Sequence, residues 1–333
     1  MKLSALAKAT QSVVQTNHSI LIYSQPKCGK TELVGTAAKI DEIENIYWFD
    51  LENGSETLLN SHLGLTPEQM DKITIIKIAD TRDNPIAIET MLKALTSKVP
   101  VDICEAHGRV DCADCKKAKA PFISFCLSKC THNDLVVIDS GSQLGDSALA
   151  AACIGKPNMF KPTFDEYGMV NKWLGDCMSV VQQCRHTNFV VITHEIALED
   201  DEGKDKLFPL MGSKNFSMKC AKYFGTVVYL HKKMGKHVGG SSSTYRADLL
   251  TGSRIGAAIE KGELNMEEIL VKYGVLKKGS SSQNAVSSVE MVSSNETTNG
   301  GNHDEDVKKE TNAQPTEKKL TLAERLALKK AGK

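Results

Sequence analysis

Eight residues in a row, Ser24-Gln25-Pro26-Lys27-Cys28-Gly29-Lys30-Thr31, combine turn formers with an adjacent lysine and hydroxyl, and Glu32 follows them. A phosphate site needs a tight turn between strand and helix, whose successive backbone N–H groups point at the anion while the helix N-terminus adds positive potential. The usual spacing is G-x-x-x-x-G-K-[ST]. Gly29, Lys30 and Thr31 fill its last three positions, and Ser24 stands at the first. Residues 24–32 are therefore expected to bind ATP. Lys30 would reach the β- and γ-phosphates, and the Thr31 hydroxyl would ligate Mg²⁺.

Three further apolar runs end in groups that suit the same chemistry. Leu135-Val136-Val137-Ile138 closes on Asp139, an acid able to orient Mg²⁺ or its water. Phe49-Asp50-Leu51 leads to Glu52, a candidate general base for a water attacking the γ-phosphate. Val190-Val191-Ile192-Thr193 leads to His194, which can hydrogen-bond the γ-phosphate or relay its presence. The plainer roles for these three are a turn cap, a loop carboxylate and a structural histidine.

A second chemistry sits between residues 104 and 115. Cys104-x₂-His107 is followed four residues later by Cys112-x₂-Cys115, two chelating pairs that can close a tetrahedron around Zn²⁺. Gly108 suits the positive φ of a metal knuckle. The flanking Glu105, Lys116, Lys117 and Lys119 are too polar to build a core, so metal would supply stability. Cys126, Cys130 and His132 offer a competing half-set with Cys112 and Cys115, although the alternation of Cys126 with Phe122 and Ser124 suits burial as a small apolar residue. The insertion would hold a loop rigid, or present Arg109, Lys116, Lys117 and Lys119 to a partner.

The elements that must position these groups follow from periodicity. Strands are predicted at 19–23, 46–49, 73–78, 135–138, 188–193 and 226–231, with a seventh candidate at 245–250. Helical spacing covers 30–39, 85–98 and 168–185, the last with Val170, Trp173, Leu174, Cys177, Val180 and Val181 on one face. Apolar strands alternating with amphipathic helices imply an α/β domain, a mostly parallel sheet with helices on both faces. We place this core at residues 1–275, with the zinc-binding insertion at 101–132. Residues 276–319, rich in Ser, Asn, Thr and charge, are expected to be a disordered linker. Residues 320–333 read as a short terminal helix or a docking peptide for a protein partner.

Composition narrows the class. Of 333 residues, 41% are hydrophobic and 25% charged, which fits a globular chain. No apolar run is long enough for a membrane helix, and the N-terminus does not read as a secretory signal. Ten cysteines without such a signal suggest a reducing, cytoplasmic setting. A net charge of zero argues neither for nor against nucleic acid.

The phosphate loop at 24–31, Phe49-Asp50-Leu51-Glu52-Asn53-Gly54, Val136-Val137-Ile138-Asp139-Ser140 and Ile192-Thr193-His194-Glu195 together resemble the RecA-like, AAA-type core of phage ATP-binding proteins of the recombination and single-strand-annealing group. Leu210-Met211-Gly212-Ser213-Lys214 and Lys222-Tyr223-Phe224 extend the likeness, which spans residues 17–256. It implies a RecA-like P-loop NTPase fold, ATP hydrolysis with Glu52 as catalytic glutamate, and assembly into a homo-oligomeric ring or filament. It also implies action on single-stranded DNA in phage recombination, annealing or replication, in the cytoplasm of an infected bacterium. The segment 197–217 corresponds to a DNA-facing loop, but its early part is acidic (Glu199, Asp200, Asp201, Glu202). Lys214, Lys219 and Arg254 are candidates for a cation acting on a neighbour's site. Two other classes remain open: a small-molecule or nucleotide kinase, for which no Arg-rich lid stands out, and a non-catalytic adaptor shaped by ATP and zinc.

Overall fold

In the computed structural model, residues 18–157, 159–200, 203–242, 246–254 and 262–272 are described. Strand β1 (Ser19–Ser24) alternates strictly: Ile20 and Ile22 enter one apolar cluster, Leu21 and Tyr23 another on the opposite face. A strand buried on both sides belongs at the middle of a covered sheet. It pairs in parallel with β7 (Asn188–Glu199) and β9 (Thr226–Lys233). Outward from β7 run β6 (Asp134–Asp139), β2 (Asn45–Asp50) and β3 (Ile73–Lys77), all parallel. Beyond β9 the sheet turns antiparallel through β10 (Lys236–Gly240) and the two-residue β12 (Gly262–Glu263), with β11 (Gly252–Ser253) also pairing β9. The expected α/β arrangement is present: a mostly parallel mixed sheet with helices on both faces.

Helix α1 (Lys30–Gly35) covers one face with Leu33 and Val34; the other carries α3 (Ala87–Thr96), α5 (Gly141–Ala152) and α6 (Phe164–Gln183). Two short helices, α2 (Pro67–Asp71) and α4 (Ala113–Ala118), lie between these in the chain. Helix α6 begins earlier than its periodicity suggests because Thr163 and Glu166 form a capping box. Of its expected face, Val170, Leu174, Cys177 and Val181 are buried, while Trp173 and Val180 pack half-buried at its margin.

Several expectations need correction. The helix foreseen over 30–39 breaks at Gly35 into a 3₁₀ turn, Thr36–Lys39. Residues 246–250 form a turn with one bridge, Leu249 to Leu207, instead of a strand. The segment 197–217, expected to correspond to a DNA-facing loop, carries regular structure: β7 runs on to Glu199 and pairs antiparallel with β8 (Asp205–Pro209), and Lys214–Lys219 forms α7. Strand alternation continues past the parallel register, a change that length alone does not reveal. The linker and terminal segment assigned to 276–333 lie outside the described residues. No helix among the described residues is long and apolar enough to cross a membrane.

Candidate nucleotide and metal sites

Strand β1 delivers the turn at 24–31 directly onto α1. Within it Lys27 (φ 63°) and Gly29 (φ 81°) adopt left-handed backbone, the conformation that turns successive N–H groups to one side. Gly29 is needed twice over, because a β-carbon there would also fall 2.3 Å from His237 Nε2. Ser24, at the usual glycine position, is buried, and its hydroxyl accepts from Lys30 Nζ at 3.2 Å. The ammonium folds back on its own loop, donating also to the Ser24 and Gln25 carbonyls at 3.3 and 3.0 Å. Burial lowers the Lys30 pKa, with the Glu52 and Asp139 carboxylates working against that.

Lys30, His194 and Glu52 are brought together. Lys30 Nζ lies 3.3 Å from His194 Nδ1, and His194 Nε2 lies 3.2 Å from Glu52 Oε1. An ammonium only donates, so Nδ1 accepts and the ring proton sits on Nε2, facing the carboxylate. The Ser140 hydroxyl donates to the same Glu52 oxygen. Burial pushes the Glu52 carboxyl up, but the hydrogen bonds from His194 and Ser140 outweigh it and hold it below the usual range. Asp50, the last residue of β2, shapes this corner by accepting from the Gly54 and Ser55 N–H groups at 2.9 and 3.1 Å, which closes the turn carrying Glu52. Ser142 fixes the other side, accepting from the His194 N–H at 2.9 Å. Sequence reasoning missed Ser140, Ser142 and Asp50; the only signal was their place beside strand-end acids.

Thr31 Oγ1 donates to Asp139 Oδ2 at 3.0 Å. Burial raises the Asp139 pKa to about 7; the Thr31 hydrogen bond opposes the rise and the Glu52 and Asp50 charges add to it. A buried acid among carboxylates is short of positive charge, and the Thr31 and Asp139 oxygens together offer hard donors that fit Mg²⁺. Pro26 and Cys28 complete the turn; Cys28 is half-buried. Glu32 points to the opposite flank, with its Oε2 3.2 Å from Lys232 Nζ and 3.3 Å from His237 Nε2.

The second cluster is built from β4 (Val101–Cys104), α4 and β5 (Phe122–Phe125). Cys104, His107, Cys112 and Cys115 converge, their donor atoms all within 4.8 Å of one another. His107 Nδ1 stands 3.8, 3.8 and 3.3 Å from the sulfurs of Cys104, Cys112 and Cys115. A tetrahedron with Zn–S of about 2.3 Å and Zn–N of about 2.05 Å has S···N edges of roughly 3.6 Å, so the cage fits zinc. The backbone N–H of Cys115 chiefly brings the Cys112 thiol down to about 7. Gly108, at φ 72°, approaches so closely that a β-carbon would meet the Lys77 carbonyl at 2.2 Å. The Ala79 N–H donates to the His107 carbonyl and the Thr90 hydroxyl to that of Gly108, both at 2.9 Å, docking the knuckle on the end of β3 and on α3.

The competing set does not assemble. Cys126 is half-exposed beside Ser128, contrary to its expected burial, and Cys130 is the buried one, its thiol pushed to about 12 by burial. Two of the four basic residues foreseen on the insertion are engaged locally: Arg109 with Glu89 at 3.3 Å and Lys116 with Asp111 at 2.6 Å. Arg254 donates to the Lys222 carbonyl at 2.6 Å, so it is tied to its own chain.

Comparison with solved structures finds an ATPase from the type III secretion system of pathogenic bacteria (12% identity, TM-score 0.40), covering 72% of this chain and 58% of that one. The RadB recombinase is also similar (15% identity, TM-score 0.35, 67% and 79% covered). No curated protein sequence matches closely enough to count as a relative. Residues 16–248 match the AAA domain family, a span that holds the phosphate turn, Glu52, Asp139, His194 and the cysteine cluster, and the chain belongs to that family.

Proposed function

We propose that this protein binds Mg-ATP at residues 24–32 and hydrolyses it, with Glu52 as the base that activates water. One observation carries the proposal: Lys30, His194 and Glu52 meet in an unbroken line of contacts beside the Thr31–Asp139 pair. Mg²⁺, held by Thr31 and Asp139, would neutralise charge on the phosphates. Lys30 presently satisfies its ammonium on loop carbonyls and His194; phosphate oxygens offer it stronger, charge-assisted partners. Its withdrawal from His194 Nδ1 leaves that nitrogen free, so the imidazole can report occupancy to Glu52. Ser140 and His194 hold the carboxylate ionised, the state in which it accepts a proton from water.

The cysteine cluster is assigned a structural Zn²⁺, because three sulfurs and one imidazole complete four positions and leave no open one. The wider role, assembly as a ring or filament on single-stranded DNA in phage recombination, annealing or replication, is supported by the order and spacing of the sequence motifs. ATP turnover by the full chain, measured with Mg²⁺ and with or without single-stranded DNA, tests both levels. Turnover that rises with DNA is expected; turnover indifferent to DNA contradicts the wider role, and none at all contradicts the enzyme.

A further inference from the structure

The β9–β10 hairpin carries two basic side chains that the hydrolysis chemistry leaves unused. Lys232 and His237 stand directly opposite each other across it. Burial lowers the His237 pKa, with the Glu32 charge opposing it, so the pair offers an ammonium and an imidazole to an anion lying between them. Here the anion is Glu32, which contacts both. Glu32 immediately follows Thr31, so the cluster abuts the phosphate turn, and the imidazole lies against Gly29. His237 Nε2 is sealed from solvent yet makes no aligned hydrogen bond, although Glu32 is close. A buried polar nitrogen without a hydrogen-bond partner is costly, and it faces the loop that would receive phosphate.

Sheet order tells which end of a nucleotide would meet this pair. β1 leads into the turn, while β7 and β6 on one flank bring His194 and Asp139 to the terminal-phosphate side. β9 pairs with β1 on the other flank. A nucleotide lying across the turn with its terminal phosphate toward His194 therefore extends its ribose end toward β9.

We propose that Lys232 and His237 form a subsite for the α-phosphate and ribose of a nucleoside di- or triphosphate. Glu32 serves as their internal counter-anion, which the phosphate displaces. The proposal rests on nucleotide binding at residues 24–32. Lys232, a point charge on a flexible stem, can follow the exchange of one anion for another.

The alternative is that Glu32 only braces the hairpin to α1, and calorimetric titration of the full chain with ADP separates the two. A brace is broken alike by Glu32→Gln and Lys232→Ala, so both would move ADP affinity in the same direction. A subsite with an internal competitor gives opposite signs: Lys232→Ala weakens ADP about tenfold, and Glu32→Gln tightens it. Lys232→Arg, which keeps the charge, restores most of the affinity and guards against a folding defect in the alanine variant. Lys236→Ala, on the same hairpin but paired with Glu263, is expected to change nothing. Equal weakening by Lys236→Ala would mean a general field and would overturn the proposal, as would shifts of equal sign or none. Lys30→Ala is titrated in parallel. If the parent binds no ADP, or Lys30→Ala binds it equally well, the nucleotide reading falls and takes this proposal with it. If only Lys30→Ala loses ADP, the subsite alone is wrong.

Discussion

Lys30 and Glu52 share one imidazole, and the residues flanking that contact differ in how readily a sequence discloses them. Glu52 and Asp139 stand just past or at the ends of apolar runs, where a parallel sheet collects its functional groups, so their types and places were legible. Ser140 and Ser142 were not, because a hydroxyl's partner depends on which strand lies alongside, and β6 neighbours both β2 and β7. His18 was equally silent. Its ring is buried beside Thr226, with Nε2 2.7 Å from that hydroxyl, and burial lowers its pKa from 6.5 to about 4. Between those values the unfolded chain binds a proton that the folded chain refuses, so stability rises with pH across the window. The contribution is full above pH 6.5, declines as pH falls, and is gone by about 4. The largest loss is about 3 kcal/mol, from 1.36 kcal/mol per pKa unit. Denaturant unfolding at pH 7.5 and 4.5 should show a smaller difference in a His18→Asn variant than in the parent. An equal difference in both would exclude His18 as the source.

At the scale of elements, the main strands were visible as apolar runs, and the boundaries shifted where caps and pairing intervened. Thr163 started α6 early, and β8 drew β7 out beyond its parallel register. The knuckle was legible in its ligands because two-residue spacing is a local property. Its docking was not, because the Lys77 carbonyl, Ala79 and Thr90 are contributed by distant chain. With so little apolar area of its own, this element is expected to draw stability from the proposed zinc. The parent should carry about one zinc per chain and the Cys112→Ser variant little, as four-ligand sites bind one ion. Loss of the ion should lower Tm by roughly 5–10 °C, the shift expected for a few kcal/mol in a domain of this size. A Cys112→Ser protein with full zinc content would refute the ligand set; an unchanged Tm with zinc lost would refute its structural role.

At the scale of the whole molecule, the order β9-β1-β7-β6-β2-β3 explains why motifs spread over some 170 residues of sequence meet at one edge. β1 lies inside the sheet, so the phosphate turn opens between two flanks: His194, Asp139 and Glu52 toward β7, β6 and β2, a basic hairpin toward β9. The chain's net charge of zero leaves nucleic-acid binding to local surfaces, and the hairpin formed by β7 and β8 pairs Lys206 with Asp200 at 2.8 Å. Single-turnover ATP cleavage by Glu52→Gln, run beside the parent, tests whether Glu52 assists the proposed hydrolysis. The amide keeps the shape and can still meet Ser140 and His194, but it cannot take a proton from water. ATP binding within about threefold of the parent is expected, with cleavage slowed about 10²–10⁴-fold, the usual contribution of a general base. Cleavage at the parental rate would contradict that role.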